Sequence, residues 1–579
     1  MDGKFRLFLD QAAGRAPADL RIDNARVLDV FGGGVRECPV CVGQGRILGF
    51  SALEARQVFD AGGRCLLPGL IDSHVHIESS MLCPARFAEI VLPFGTTTVI
   101  ADPHEIANVQ GVAGVRYMLE ASAGLPLDVR VMLSSCVPAL PVEDAGAVLE
   151  AADLAELMSD PRVAGLGEMM NVPGVLNADT GTLAKIRLAA AHGKRVDGHS
   201  PGLAGRDLDV YAAAGVSTDH ECSTPEEALE RIRRGMYVML REGSAARDLL
   251  RLLPAVDSVN ARRCLFCTDD RQPADILERG HINSHLRMAV AAGLDPVDAV
   301  RMATLNAAEC YGLRGKGGIA PGWLADLVLV DDLQDFRVRA VWAGGRLAAE
   351  NGRMLSELPQ RDPGALRGSV RLAPLPENPF ELRVPSGRAR VIGIQPHSLV
   401  TTCDIREVRT SAEGVFDFAL NPGLLKIAVL ERHHATGKTG VGLLDGRYGL
   451  RGGAIATSVA HDSHNIVVAG DNDADMRLAV EETARLGGGV VMAARGRVLA
   501  SLALPIGGLM SDQSAAGVAD TLRELLRLAR THYHIWDQAD AFMTLSFLAL
   551  PVIPELKITA RGLFDVSAFR FVDVDAGRR

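Results

Sequence analysis

Aromatic side chains are scarce in this chain of 579 residues, where Phe, Trp and Tyr together make up 4%. So few stacking platforms argue against a protein that grips unpaired nucleobases along a strand. An excess of positive charge is missing too. The formal net charge is -10 and the pI is near 5.9, so the long-range field repels phosphate backbones and anionic membrane surfaces alike. The ten cysteines lack the dense, regular spacing of a disulfide framework, which points to free thiols in a reducing compartment. Long apolar runs are absent. The richest late stretch, AFMTLSFLALPVIP from Ala541, is too short to span a bilayer and contains prolines. The start, MDGKFRLFLDQAAG, has no apolar core suited to a secretory signal. The expectation is a cytoplasmic protein that acts on a small substrate, with no nucleic-acid and no membrane partner.

What is present is enough apolar sequence for a large core, at 48% hydrophobic residues. At about 150 residues per domain the chain makes three or so units, fewer if one is a large α/β barrel. Residues 20–62 and 317–347 share short β-branched runs broken by glycines, the texture of a small β unit. Between them, short apolar strands alternate with helical periodicity, as in repeated βα units around a parallel sheet. Eight such strands end near His76, Asp102, Ser135, Glu168, His199, His220, Leu240 and Asp269, a count that suits a (β/α)8 TIM-type barrel. The expected fold class is α/β, with that barrel at 66–315. A small flanking β-sandwich draws on 1–65 and on return strands at 316–360. A Pro-rich linker follows at 361–384, and an additional α+β domain at 385–579.

The strand bodies are apolar, whereas their ends supply His74, His76, Asp102, Glu168, His199, His220 and Asp269. In a parallel barrel all these ends lie on one face, the one on which barrel enzymes build their sites. His74 and His76 are spaced i, i+2, so on a strand they point the same way and can share one cation. Glu168 can bridge two ions, His199 and His220 can hold the second, and Asp269 can touch both a metal and its water. Two adjacent Lewis acids and a hydroxide are equipment for attacking an electron-poor carbon.

These segments resemble the adenine deaminases of the amidohydrolase superfamily. LPGLIDSHVHIESS, with His74 and His76, carries the general signature. GLGEMMNVPGV offers Glu168 where many relatives use a carboxylated lysine, and ADPHEIANVQG, VDGHSPGL, STDHECST and FCTDDRQPADIL resemble that family specifically. The likeness runs from about residue 20 into ERHHATGKTGVGLLDGRYGLRGGAIATSVAHDSHN, so it covers nearly the whole chain. It implies hydrolytic deamination of adenine to hypoxanthine and ammonia by a hydroxide activated at two divalent ions, Mn2+ or Fe2+. Asp269 would be the proton shuttle. His104 and Glu105 in DPHEIAN would face the purine, against the plainer reading that Asp102 bonds nearby backbone and Glu105 starts a helix. Asp102, Arg241, Glu242, Ser244 and Asp270 are further candidates to line the pocket. A homodimer or higher homo-oligomer is the expected assembly. A related amidohydrolase acting on another aminopurine or cyclic amidine or amide is the alternative enzyme, and a non-catalytic metal-binding protein the alternative class.

Other signals read as structural. Cys264-x-x-Cys267 with His76 and Glu78 echoes the zinc nucleobase deaminases, but the cysteines lie within an apolar strand and read as buried thiols. GKTG at Gly437 lacks the first glycine of a phosphate loop, since Arg432 stands there. His281 and His285 are spaced i, i+4 without the glutamate of a metalloprotease, so they read as packing or solvated side chains. The cluster His433, His434, His461, Asp462 and His464 allows two readings: a second metal site or a loop over the barrel mouth, or else a polar turn network.

Overall fold

Runs such as TTTVIA, mostly β-branched, and CLFC show no alternation and are buried at every position, as in parallel strands covered on both faces. In the computed structural model, which describes residues 2–244, 246–396, 398–536 and 540–578, they form β1 (Leu70–Val75), β2 (Thr96–Ala101), β3 (Asp128–Leu133), β4 (Val163–Met169), β5 (Arg195–Gly198), β6 (Thr218–Asp219), β7 (Tyr237–Arg241) and β8 (Cys264–Cys267). Each observed end lies one or two residues from the expected one. Strands β1 to β5 make one parallel sheet and β6 to β8 a second. A parallel bridge joins Val75 to Asp269 beside β1 and β8, and the Ser217 N–H donates to the Val196 carbonyl between β5 and β6. The result is a curled parallel unit whose strand C-termini face one way.

Two sheets lie beside it. One has seven strands and joins Leu327–Val330 antiparallel to Cys65–Pro68, so segments from both sides of the parallel unit share one ladder. The other has four strands, drawn from residues 18–60. Ile22, Val42, Leu66, Leu327 and Trp342 pack in one core between them. Within the segment expected to be part of the β-sandwich, Asp2–Ala12 instead forms a helix that precedes the first strand.

The C-terminal sheet contains β9 (Arg388–Ile394), β10 (Thr401–Glu407), β11 (Leu424–Leu430), β12 (Thr439–Asp445), β13 (Ala454–Thr457), β14 (Ile466–Gly470), β15 (Gly489–Ala494) and β16 (Arg497–Ala503). Their order is β10-β9-β12-β11-β14-β13-β15-β16. The segment read as a linker has only one short 3-10 turn, Gly364–Leu366, yet it is no free spacer. Phe380 and Val384 are fully buried, and Ser369 bonds to Arg432.

Arg432 is the anchor of this region. Its guanidinium is wholly buried and faces oxygen acceptors: the His464 carbonyl, the Ser369 hydroxyl and the Gly507 carbonyl at 3.0 Å. It thereby ties the 361–384 segment, the turn at Gly507 and the loop 458–465 between β13 and β14 to one point. Truncation strands those acceptors in the interior, at about 1–3 kcal/mol for each that finds no water. Arg432→Ala is therefore expected to lower the thermal midpoint clearly in calorimetry, whereas truncating the exposed Arg485 leaves it unchanged within error.

Candidate metal centre

The expected ligands converge on one carboxylate. Glu168, at the end of β4, places Oε1 3.2 Å from His76 Nε2 and 3.1 Å from His104 Nδ1, and 3.9 Å from His74 Nε2. Its Oε2 lies 2.6 Å from His199 Nδ1 and 3.3 Å from His220 Nε2. The two oxygens thus address two separate histidine groups. Asp269, following β8, closes the first group, with Oδ1 3.4 Å from His74 Nε2 and 3.1 Å from His76 Nε2. It sits at φ 58°, a left-handed conformation that Asp tolerates better than most residues.

Neighbouring backbone explains why Glu168 points where it does. Asp102, after β2, accepts the Glu168 N–H at 2.8 Å, and a Cβ on Gly167 would meet the same carboxylate at 2.1 Å. Only glycine leaves room for that bond, so the GLGE run couples a small residue to the orientation of the next one. The reading of Asp102 as a group bonding nearby backbone agrees with this contact.

Electrostatics favour ionised carboxylates. Burial pushes the Glu168 carboxyl up, but His199, His104 and His220 more than offset that and hold it well below the ordinary range. Burial likewise raises Asp269, and bonds from His74 and His76 with the charge of Arg241 bring it well down. His74 goes the other way: burial first, then the neighbouring His220, lower it to about 4. Burial and then Asp269 raise Asp270.

This donor set fits divalent cations. The Nε2 atoms of His74 and His76 are 3.1 Å apart, and two imidazole lone pairs at that distance repel unless a proton or a cation lies between them. The ligand triplets at and beside Glu168 include His74, His76 and Asp269; His74, Glu168 and His220; His76, His104 and Glu168; and His199, His220 and Glu221. Imidazole and carboxylate together suit first-row divalent ions.

The remaining candidates divide. Arg241 reaches the cluster, with Nη1 2.9 Å from Asp269 Oδ2 and further pairs to Glu221 and Asp248. Asp270 accepts the Ser79 hydroxyl at 2.5 Å at the same mouth. His104 and Glu105 both face inward at the start of the helix α1 (His104–Ala121) and are buried. Ser244 turns away, bonding Asp275 at 2.5 Å and the Gln272 N–H at 2.9 Å, and the Glu242 carbonyl accepts from Arg271. Glu221 was missed. Its carboxylate lies 3.5 Å from His220 and 3.8 Å from His199, and the signal was its place directly after a strand-end histidine.

The discounted motifs are structural. Cys264 and Cys267 are buried free thiols. His285 is buried and bonds the carbonyls of His281 and Cys267, and His281 meets the Thr96 hydroxyl at 2.8 Å. Lys438 of GKTG pairs with Asp144. The C-terminal histidines split: His433 meets the Ser463 carbonyl and His434 the Ala145 carbonyl, while His461 and His464 reach Glu105.

Glu168→Gln keeps the volume but removes the negative charge and replaces one of the two oxygens, each shared with a histidine group, by an NH2 donor. Bound metal, measured by atomic emission after dialysis of Mn-loaded protein, is expected to fall below that of the parent protein.

Comparison with known proteins gives the family. Residues 65–348 match the Amidohydrolase family and residues 398–570 the Adenine deaminase C-terminal domain. A curated relative named Adenine deaminase from Nitratidesulfovibrio vulgaris is 62% identical over 566 residues, 98% of either chain. Adenine deaminase 2 of Carboxydothermus hydrogenoformans is 50% identical, again over 98% of each. With likeness of that order along its length, the chain belongs to the adenine deaminase family of amidohydrolases.

Proposed function

We propose that this chain hydrolyses adenine to hypoxanthine and ammonia in the cytoplasm, as a homodimer or higher homo-oligomer, at two divalent ions on the mouth of a closed (β/α)8 barrel. The observation that carries the reading is 62% identity, along 98% of the chain, to a protein named adenine deaminase. The convergence of His74, His76, Glu168, His199, His220 and Asp269 supports the ion pair. Mn2+ and Fe2+ are the ions proposed. When bound, they supply Lewis acidity and bring the pKa of a water toward neutrality.

The chain's own groups handle the proton. Asp269, held ionised by the histidines and by Arg241, accepts a proton from the attacking water and returns it to the 6-amino nitrogen, which leaves as ammonia. Arg241 is itself fixed by Glu221 and Asp248, so the Asp269 carboxylate has little freedom to rotate out of line. His104 and Glu105 face the ring. Deep burial of these groups excludes bulk water, which strengthens each charge interaction in the site.

Steady-state ammonia release from adenine, with apo protein and with Mn, Fe or Zn added, tests substrate and metal together. Turnover is expected only in the metal-loaded forms. Asp269→Asn is expected to reduce kcat by about 10³-fold while retaining most of the metal. Near-normal turnover in that variant would remove Asp269 as the proton carrier.

A further inference from the structure

The C-terminal sheet sends one loop into the candidate site, and its contacts are specific. The loop 458–465 leaves β13, and its backbone is tied at both ends. The Ser458 hydroxyl donates to the Gly508 carbonyl at 2.6 Å, and buried Arg432 holds the His464 carbonyl. From this platform two histidines take the two oxygens of one carboxylate on the parallel unit. His461 Nδ1 lies 2.6 Å from Glu105 Oε1, and His464 Nε2 contacts Glu105 Oε2. All three groups are buried.

Such a triplet is either a cation site or a hydrogen-bonded clamp, and the far side of His464 decides between them. Its Nδ1 faces the Ala460 N–H at 3.1 Å and must accept there. An acceptor at Nδ1 requires the proton at Nε2 in the neutral ring, which makes Nε2 a donor to Glu105 and leaves it no lone pair for a metal. The His461–Glu105 separation of 2.6 Å is that of a charge-assisted hydrogen bond. The His461 ring is also pinned, stacked on Phe547 with centroids 4.4 Å apart. His461 also lines a cavity of about 30 Å³ together with Ser79 and Asp270. Glu105 in turn lies 3.5 Å from His104, whose Nδ1 touches Glu168.

We propose that His461 and His464 are positioning residues: the C-terminal domain clamps Glu105 as an ionised acceptor aimed at the substrate, so the catalytic site is complete only with that domain in place. The proposal rests on the adenine reading for its kinetic readout, and its chemical core does not. With both oxygens already receiving donors, Glu105 is an acceptor toward the ring and not a proton donor. Freed of the clamp, the side chain has several rotamers, and a displacement of about 1 Å in a positioning group costs on the order of 10²-fold in rate.

The test uses full-length, Mn-loaded protein. His464→Leu is expected to lower kcat/KM for adenine about 30- to 100-fold with two ions still bound per chain. His464→Gln, whose amide can still donate to Glu105, is expected to recover at least half of that loss on a logarithmic scale. Adding Glu105→Gln to His464→Leu should cost less than about threefold more, because the two changes remove one function. Independent, multiplying losses would overturn the clamp, as would a His464→Leu enzyme within about threefold of the parent. In the parent protein, ¹⁵N-histidine spectra should show His464 protonated at Nε2 and unprotonated at Nδ1. The opposite tautomer, or a third ion lost on His464→Leu, would replace the clamp by a metal site. Should the parent release no ammonia from adenine, the functional reading fails, while the tautomer and the ion count still judge the clamp.

Discussion

Every part of the site depends on the ionised carboxylate of Glu168. It is buried, and a buried carboxylate is costly unless donors surround it. Here histidines from β1, from the turn after β2, and from the ends of β5 and β6 do so, dividing between its two oxygens. All of those histidines but the half-buried His199 are themselves buried, and the same low dielectric that raises their cost strengthens their attraction to the carboxylate. The arrangement is therefore mutually dependent: removing the carboxylate leaves several imidazoles with nothing to oppose, and removing one histidine leaves the others unbalanced.

The outer layer repeats that logic at lower charge density. Asp102 holds the backbone of Glu168, Arg241 holds Asp269, and Glu221 and Asp248 hold Arg241. Each is placed by the C-terminal end of a parallel strand or by the turn that follows, the part of an α/β unit where side chains can leave the core without disturbing the ladder. The strand bodies stay apolar and rigid, and the chemistry collects at their ends. A third layer comes from the C-terminal sheet, where Arg432 fixes the loop that meets Glu105.

Much of the centre was legible from residue order. A pair such as His74 and His76 at the end of an apolar run projects to one side by the pleat alone, and Glu168, His199, His220 and Asp269 occupy equivalent positions on later strands. Repetition across strands is what made them visible. Glu221 shows the limit of that signal. It sits next to a ligand-type histidine, but adjacent residues on a strand face opposite ways, and only the turn after β6 brings its carboxylate round to His199 and Arg241. Ser244 shows the converse, since it lies three residues beyond Arg241, the last residue of β7, yet spends its hydroxyl on Asp275 and Gln272.

The amino-acid sequence by itself determined the parallel strands, the ends that carry histidine and carboxylate, and the family to which the chain belongs. These follow from local periodicity and short motifs, in which cause and effect lie within a few residues. The role of the C-terminal histidines was decided only in three dimensions. His461 and Glu105 are 356 positions apart, and no periodicity relates them. Their meeting depends on how a separate sheet docks, on the buried Arg432 that shapes its loop, and on an Ala460 N–H that sets the proton on His464. Such long-range hydrogen bonds select a tautomer and an acceptor. Residue type alone leaves both open, because an imidazole nitrogen donates, accepts or binds a metal according to what faces its partner nitrogen.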